Sequence, residues 1–318
     1  MSYYQKTNPE LWTGRTSDQK LYLHDKVSFI HLIEEDLNSD QKTITVLGYA
    51  CDEGVKRNQG RIGAAEGPNA IRKQLAKMPN HLEREIQFLD VGSIQCLDSD
   101  MEKAQGHLSQ AVSKLLQQKA FPILLGGGHD MAYGHYNGIK DFLSGKKSIG
   151  IINFDAHFDL RNTINGNNSG TPFFQIAQDC KSDGSSFNYC CLGIRKDAND
   201  PGLFKTASEL GVDFIENNKF TTSNAPTIVR KLLDFIGQVD HVYVTIDLDG
   251  FSSAYAPGVS APSPMGFSPE VVLESLELVI DSKKMISLDI AEMNPKYDVD
   301  DQTAKLAASL VHFVIHRI

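Results

Sequence analysis

The 318-residue chain is 41% hydrophobic and 22% charged, the balance of a globular protein with a sizeable core, and its length suits about two average domains or one large α/β unit. A formal net charge of −9 with no block of Lys or Arg excludes a phosphate-reading surface, so no nucleic-acid partner is expected. No segment reaches the ~20 apolar residues of a membrane span, and Met1-Ser-Tyr-Tyr-Gln-Lys6 lacks the apolar core of a secretion signal, so no membrane partner is expected. Of the five cysteines, Cys190 and Cys191 sit in an apolar strand-like run and read as small core fillers; there is no C-x-x-C, and a reducing cytoplasm is the expected location.

Residues 1–42 are polar and weakly patterned and read as an arm that wraps the surface, with Trp12 as the residue to pin it. The first strand is expected at 43–49, followed by a Gly- and charge-rich loop, Cys51 to Pro68, that could wall a site. Gly67-Pro68 introduces a helix through Arg72. A strand at 86–91 precedes a helix over 100–118, where Ala104, Leu108, Val112 and Leu115 keep helical spacing. The alternation continues with strand 121–125, a helix from Met131, strand 148–154, a helix from Pro172, strand 187–192, helix 201–210 and strand 212–215. Helix 226–237, strand 239–247, helix 268–280, strand 285–290 and helix 300–316 complete it. Strands alternating with helices predict an α/β fold: one domain over 1–318, a three-layer α/β/α sandwich around a parallel sheet.

Three strand ends carry metal-type ligands. Ile149-Gly-Ile-Ile-Asn-Phe-Asp155-Ala-His157-Phe-Asp159 is a buried-strand pattern closing on three ligands two apart. Alternate residues of an extended chain share one side, so the three can converge just beyond the strand's C-terminal end, where parallel α/β sheets bind ligands. Val239 to Gly250 closes likewise on Asp247 and Asp249, and Phe121-Pro-Ile-Leu-Leu-Gly-Gly-Gly-His129 adds an imidazole after a tight turn. Four clustered carboxylates would raise one another's pKa and neutralise, a conflict that two divalent cations remove. Oxygen ligands with a minority of imidazole favour Mn²⁺ over a structural zinc. The glycine run lacks the Lys-Ser/Thr ending of a P-loop, and no G-x-S-x-G elbow accompanies the serines.

Gly126-Gly-Gly-His129-Asp, Asp155-Ala-His157-Phe-Asp159, Asp247-Leu-Asp249 and Ser287-Leu-Asp-Ile-Ala-Glu292-Met-Asn-Pro together resemble the ordered motif set of the ureohydrolases, the arginase and agmatinase family, from about Val46 onward. Leu11-Trp-Thr-Gly-Arg15, Cys51-Asp-Glu-Gly54, Asp159-Leu-Arg161, Ser169-Gly-Thr-Pro-Phe173 and Leu192-Gly-Ile-Arg195-Lys-Asp-Ala look most like the formimidoylglutamase branch. The resemblance implies an arginase-like fold, a trimer or hexamer, and two Mn²⁺ per subunit. One cation would take His129, Asp155, Asp159 and Asp247, the other His157, Asp155, Asp247 and Asp249, with Asp155 and Asp247 bridging. Glu292 matches the position at which the family sets an acid against the substrate's N–H groups.

One departure is Phe173, which stands where arginases and many agmatinases carry a His proposed to shuttle protons. Another is Arg161, two residues past the last ligand of its motif, where arginases place a neutral residue. A guanidinium there suggests an anionic substrate tail, with Arg195 as its partner. The candidate catalytic residues are thus Glu292 and Asp159, and the candidate substrate-binding residues Arg161, Ser169, Arg195 and Glu292. The expected reaction is attack by hydroxide, made available between the cations, on the formimidoyl carbon of N-formimidoyl-L-glutamate in histidine degradation. Agmatinase- or guanidinobutyrase-like hydrolysis and a non-catalytic metal-dependent regulator on the same fold are the alternatives.

Overall fold

The computed structural model describes residues 3–16, 19–37 and 41–318. Strands are β1 (Tyr4–Gln5), β2 (Ser28–Phe29), β3 (Thr43–Ala50), β4 (Gln87–Gln95), β5 (Ala120–Leu125), β6 (Ile149–Phe154), β7 (Asn188–Ile194), β8 (Asp213–Glu216), β9 (His241–Asp247) and β10 (Met285–Ala291). Helices are α1 (Leu23–Lys26), α2 (Glu53–Arg57), α3 (Gly67–Leu75), α4 (Met101–Gln117), α5 (Met131–Leu143), α6 (Pro172–Asp183), α7 (Pro201–Glu209), α8 (Ala225–Gly237), α9 (Pro269–Asp281) and α10 (Gln302–Ile315).

The helices start where local chemistry dictates. The Asp100 carboxylate accepts from the backbone N–H of Lys103 at 3.0 Å and caps α4, while Asp200 caps α7 by accepting from Gly202 at 2.7 Å. Helices α3, α6, α7, α8 and α9 each have proline in the first turn, where its missing N–H costs nothing. Helix α4 buries Ala104, Leu108, Val112 and Leu115, the residues whose spacing marked it.

The strands form one sheet in the order β1-β4-β3-β5-β10-β9-β6-β7-β8, with β2 also on β4. Every pairing is parallel except that of β1 with β4. Alternate side chains feed two cores: Ile44, Ile123, Ile152, Val244 and Ile290 pack with α3, α8, α9 and α10, while Tyr49, Leu124, Ile151 and Tyr243 pack with α4 to α7. The α/β/α layering expected from the sequence is therefore present. The surface arm is only part of the N-terminal story, because β1 and β2 extend the sheet itself; residues 1, 2, 17, 18 and 38–40 of that arm lie outside the described residues. Two-residue strands carry no periodic signal, and pairing with β4 alone makes them strands. Trp12 pins the arm as expected: its indole N–H donates to Asp90 at 2.7 Å and its ring meets Phe88 edge-on. Among the described residues no helix is long and apolar enough to cross a membrane.

The order of connection positions the site. Strand β5 passes through α5 to β6, three places away, and the gap is filled only later by β9 and β10. Successive connections thus move along the sheet in opposite senses around these four parallel strands, and their C-terminal ends open into one crevice.

Candidate metal centre

His129, Asp155, Asp247 and Glu292 stand at or just past the ends of β5, β6, β9 and β10 respectively. The glycine run before His129 is required by close approach: a Cβ on Gly127 would lie 1.9 Å from the Cys51 carbonyl oxygen. The next residue, Gly128, donates its N–H to that same oxygen at 2.8 Å.

The two acidic motifs share a local device. Asp155 accepts the N–H of His157 at 2.7 Å through Oδ1, and Asp247 accepts that of Asp249 at 2.8 Å through Oδ1. Each leading carboxylate closes a small turn, which curls the following ligand back toward the strand end. Asp155, His157 and Asp159 therefore do converge, but through a turn rather than by strand alternation, since β6 ends at Phe154 and Asp159 has φ 48°. Asn199 staples that turn, accepting from the Phe158 N–H at 3.0 Å and donating to Ala156 O at 2.8 Å. Asp159 and Glu292 (φ 66°) both occupy the left-handed region, a strain that persists at functional sites where surrounding contacts enforce it.

Two groups of ligand-type atoms result. His129, Asp155, Asp159 and Asp247 form one; Asp155, His157 and Asp249 form the other. Nδ1 of His129 lies 3.3 Å from Asp155 Oδ2 and 3.0 Å from one oxygen each of Asp159 and Asp247. Nδ1 of His157 lies 3.4 Å from Asp155 Oδ1 and 3.3 Å from Asp249 Oδ1. Asp155 belongs to both groups through its two oxygens, and Asp247 belongs to the first.

Hydrogen-bond stoichiometry sets the tautomer of His129. Thr245 has one hydroxyl proton and donates it to Asp289 Oδ1 at 2.5 Å, so toward His129 Nε2, 2.9 Å away, it must accept. Nε2 therefore carries a hydrogen, and the Nδ1 lone pair points at the acids. Asp289 also accepts from Tyr243 and meets His135 Nδ1 at 2.5 Å, so its carboxylate is held from every side.

Nδ1 of His129, Oδ1 of Asp249 and Oε2 of Glu292 are buried without a hydrogen-bond partner. Buried lone pairs facing one another call for positive charge between them, and oxygen plus imidazole donors without thiolate fit a hard or borderline divalent ion. Protons answer the same need. Burial disfavours imidazolium at His129, yet hydrogen bonds and charge from Asp155, Asp159 and Asp247 outweigh it and lift its pKa well above the ordinary value. His157 is raised likewise against its burial, chiefly by Asp249. Burial and the Asp155 charge push Asp159 up to about 6, while burial and the charges of Asp247 and Asp249 raise Glu292 well above a normal glutamate.

The crevice opens into a cavity of about 310 Å³ whose floor includes His129, His157, Asp159, Asp249 and Glu292. Arg161 and Ser169 line it too; Ser169 accepts from the Asn58 side chain at 3.1 Å. Arg195 does not reach it. Its guanidinium is bonded to both oxygens of Asp197, at 3.1 and 2.6 Å, and lines a separate hollow, while its backbone N–H braces Ala156 O at 3.0 Å. Arg61, from the loop marked as a possible wall, enters the cavity instead. Phe173 packs edge-on against the His129 ring at 5.4 Å and stacks on Tyr189, so it acts as an apolar backing to the site.

A profile of the arginase family matches residues 42–316. The chain belongs to the arginase family. Over 99% of its length it is 39% identical to a formimidoylglutamase of Clostridium tetani, covering 96% of that protein. The crystal structure of formimidoylglutamase from Bacillus subtilis superposes with a TM-score of 0.80 at 24% identity, covering 95% of this chain and 92% of that one. That of Trypanosoma cruzi formiminoglutamase with Mn²⁺ gives 0.76 at 23%, covering 90% and 98%. At such identities the two structures show the arginase-family fold. Within that family this chain is an enzyme whose full-length relatives are named formimidoylglutamase, and His129, His157, Asp159, Asp247, Asp249 and Glu292 of the motifs read from its sequence line the crevice.

Proposed function

We propose that the protein is a binuclear manganese hydrolase that converts N-formimidoyl-L-glutamate and water into L-glutamate and formamide. The observation that carries the reading is one cavity that joins the acid–imidazole cluster to an unpaired cation. Among the described residues Arg57, Arg72, Arg195 and Arg317 make ion pairs with acids, and Arg161, exposed on the cavity wall, does not. Its guanidinium is free to take a carboxylate of the glutamate tail in a charge-assisted pair. Arg61 is the second cation in place of Arg195: it donates to Ser260 O at 2.9 Å and Val259 O at 2.6 Å and stacks 4.0 Å over Tyr297, which leaves Nη1–H groups for the ligand.

Two cations held by His129, Asp155, Asp159, Asp247, His157 and Asp249 would supply Lewis acidity and make hydroxide available at neutral pH. Glu292, whose Oε1 is occupied by the His129 N–H at 2.9 Å, turns its unpartnered Oε2 toward the N–H of the formimidoyl group and orients the electrophilic carbon. Asp159, bordering the cavity, takes the proton shed by the attacking water and passes it toward the departing glutamate nitrogen. Loss of that nitrogen as the amine completes the hydrolysis.

Steady-state turnover of formimidoylglutamate, arginine, agmatine and guanidinobutyrate by manganese-loaded protein tests the reading. Formimidoylglutamate should be preferred, because agmatine brings an ammonium to Arg161. Arg161→Ala should raise KM by roughly ten- to hundredfold, the loss of a charged hydrogen bond of about 1.5–3 kcal/mol, with metal content unchanged. Arg195→Ala should leave KM alone. Preference for agmatine would overturn the substrate assignment.

A further inference from the structure

Two thiols stand side by side at the ends of β3 and β4, outside the metal cluster. The strands are parallel with Ala50 opposite Gln95, and the Cys96 N–H donates to Ala50 O at 3.2 Å, so Cys51 and Cys96 follow in the same register. Tyr49 and Ile94, two residues earlier on each strand, face the core beneath α4 and α5, and both cysteines pack into that core, which puts their side chains on one side of the sheet. Neighbouring strands lie about 4.8 Å apart. That spacing falls inside the range of about 4.4–6.8 Å between Cα atoms that a disulfide spans. Cys51 is fully buried and Cys96 only partly, so one thiol is open to a reagent and the other waits behind it.

We propose that Cys51 and Cys96 form an oxidisable dithiol that closes to a disulfide when a hydroperoxide reaches Cys96, and that closure disturbs the peptide support of His129. Cys96 sulfur attacks the terminal peroxide oxygen; the O–O bond breaks, an alcohol or water leaves, and Cys96 becomes a sulfenic acid. Cys51 sulfur then attacks Cys96 sulfur, the S–S bond forms, and the S–O bond breaks with release of water. Two thiols lose two electrons and two protons, and the peroxide gains them. The direction of attack agrees with ionisation: the hydrogen bond from Cys51 lowers the Cys96 pKa, while the same contact, with burial, raises that of Cys51.

Closure is felt at the metal centre through the Cys51 peptide, whose carbonyl holds the Gly128 N–H and leaves no room at Gly127. Drawing the Cys51 side chain toward β4 moves that carbonyl. The two loops already act together, since Arg57 on α2 pairs with Glu102 at 2.6 Å and donates to Ser99 O at 3.2 Å beyond Cys96.

Manganese-loaded protein is treated with hydrogen peroxide, then mapped by non-reducing peptide mass spectrometry, with turnover read before and after dithiothreitol. The expected result is a Cys51–Cys96 linkage with the loss of two hydrogens, a several-fold fall in turnover, and recovery of both on reduction. Cys96→Ser should give no linkage and keep its turnover under peroxide, while Cys180→Ser should behave as wild type. Sulfinic acid at Cys96 without linkage, Cys51 joined to another cysteine, or a linkage that leaves turnover unchanged would each overturn the proposal. The linkage is read by mass, so its failure is distinguishable from an error in the substrate.

Discussion

Two groups of buried charge lie on this sheet, and they are partnered in opposite ways. In the first, Arg72 of α3 and Asp90 of β4 are both fully buried and every hydrogen-bonding position is filled. The guanidinium gives Nε–H to Asp90 at 2.7 Å, Nη2–H to Asp90 and Gly92 O, and Nη1–H to Ser93 and Asn69. Asp90 also accepts from Thr7, Trp12 and the Gly92 N–H. In the second, at the ends of β5, β6, β9 and β10, His129, Asp249 and Glu292 are also buried, yet Nδ1 of His129, Oδ1 of Asp249 and Oε2 of Glu292 have no hydrogen-bond partner. A closed polar network fixes structure, here the N-terminal arm on the sheet edge; an open one of the same burial is kept for a ligand.

The sharpest break of this contrast is Asp247→Asn. It removes a carboxylate from the open group, so turnover should vanish and elemental analysis should show metal lost. The metal-free protein should melt no lower than metal-free wild type, because like-charge repulsion falls. Chelation should lower the melting temperature of wild type, manganese should restore it, and the variant should respond to neither. Two metals and near-normal turnover in the variant would refute the site.

The closed group should respond in reverse. Asp90→Asn leaves the Arg72 cation buried without its counter-charge, and denaturant unfolding should show about 3–5 kcal/mol of lost stability. Turnover per folded, metal-loaded molecule should stay near wild type, and the arm should become protease-sensitive.

Asp289 lies between the two extremes, since it is closed on itself yet touches the open group through Thr245. Asp289→Asn should weaken manganese binding roughly 10–100-fold, the usual effect of disturbing a ligand's hydrogen-bond partner. Turnover at saturating manganese should recover most of its value, which separates a positioning role from direct chemistry. An unchanged manganese titration would remove Asp289 from the site.

The smallest effect belongs to a third, half-buried group on α10. His316 donates Nδ1–H to His312 O at 2.7 Å and accepts the His81 N–H through Nε2 at 3.0 Å, while His312 bonds Pro79 O at 2.8 Å. Burial lowers the pKa of both below the ordinary histidine value. Their stabilising contribution is therefore full above the unfolded pKa near 6.5 and is lost as pH falls below it toward the folded values. Melting temperature should decline between pH 7.5 and 5, and a His312→Gln, His316→Gln double variant should show a shallower decline.

The sequence by itself determined the strand–helix alternation and which acids and imidazoles end the central strands. Hydrophobic period and helix starts are local, so β3 at 43–50 and α4 at 101–117 fall within a few residues of their expected limits. Six ligand-type residues were legible because each sits within five residues of a strand end that its own apolar run announces. Tertiary structure decided the rest. Arg195 and Arg61 are both long cations in polar loops; Arg195 is held away from the cavity by Asp197, two residues on, whereas Arg61 is steered into it by the Ser260 carbonyl, which only the fold brings near. Strands β1 and β2 are two residues each and exist because β4 offers an edge and Asp90 a binding point for Thr7 and Trp12. That Asp155, His157 and Asp159 meet Asp247 and Asp249 at one place depends on how two turns, written alike as Asp-x-His and Asp-x-Asp, leave strands that are neighbours only in the folded sheet.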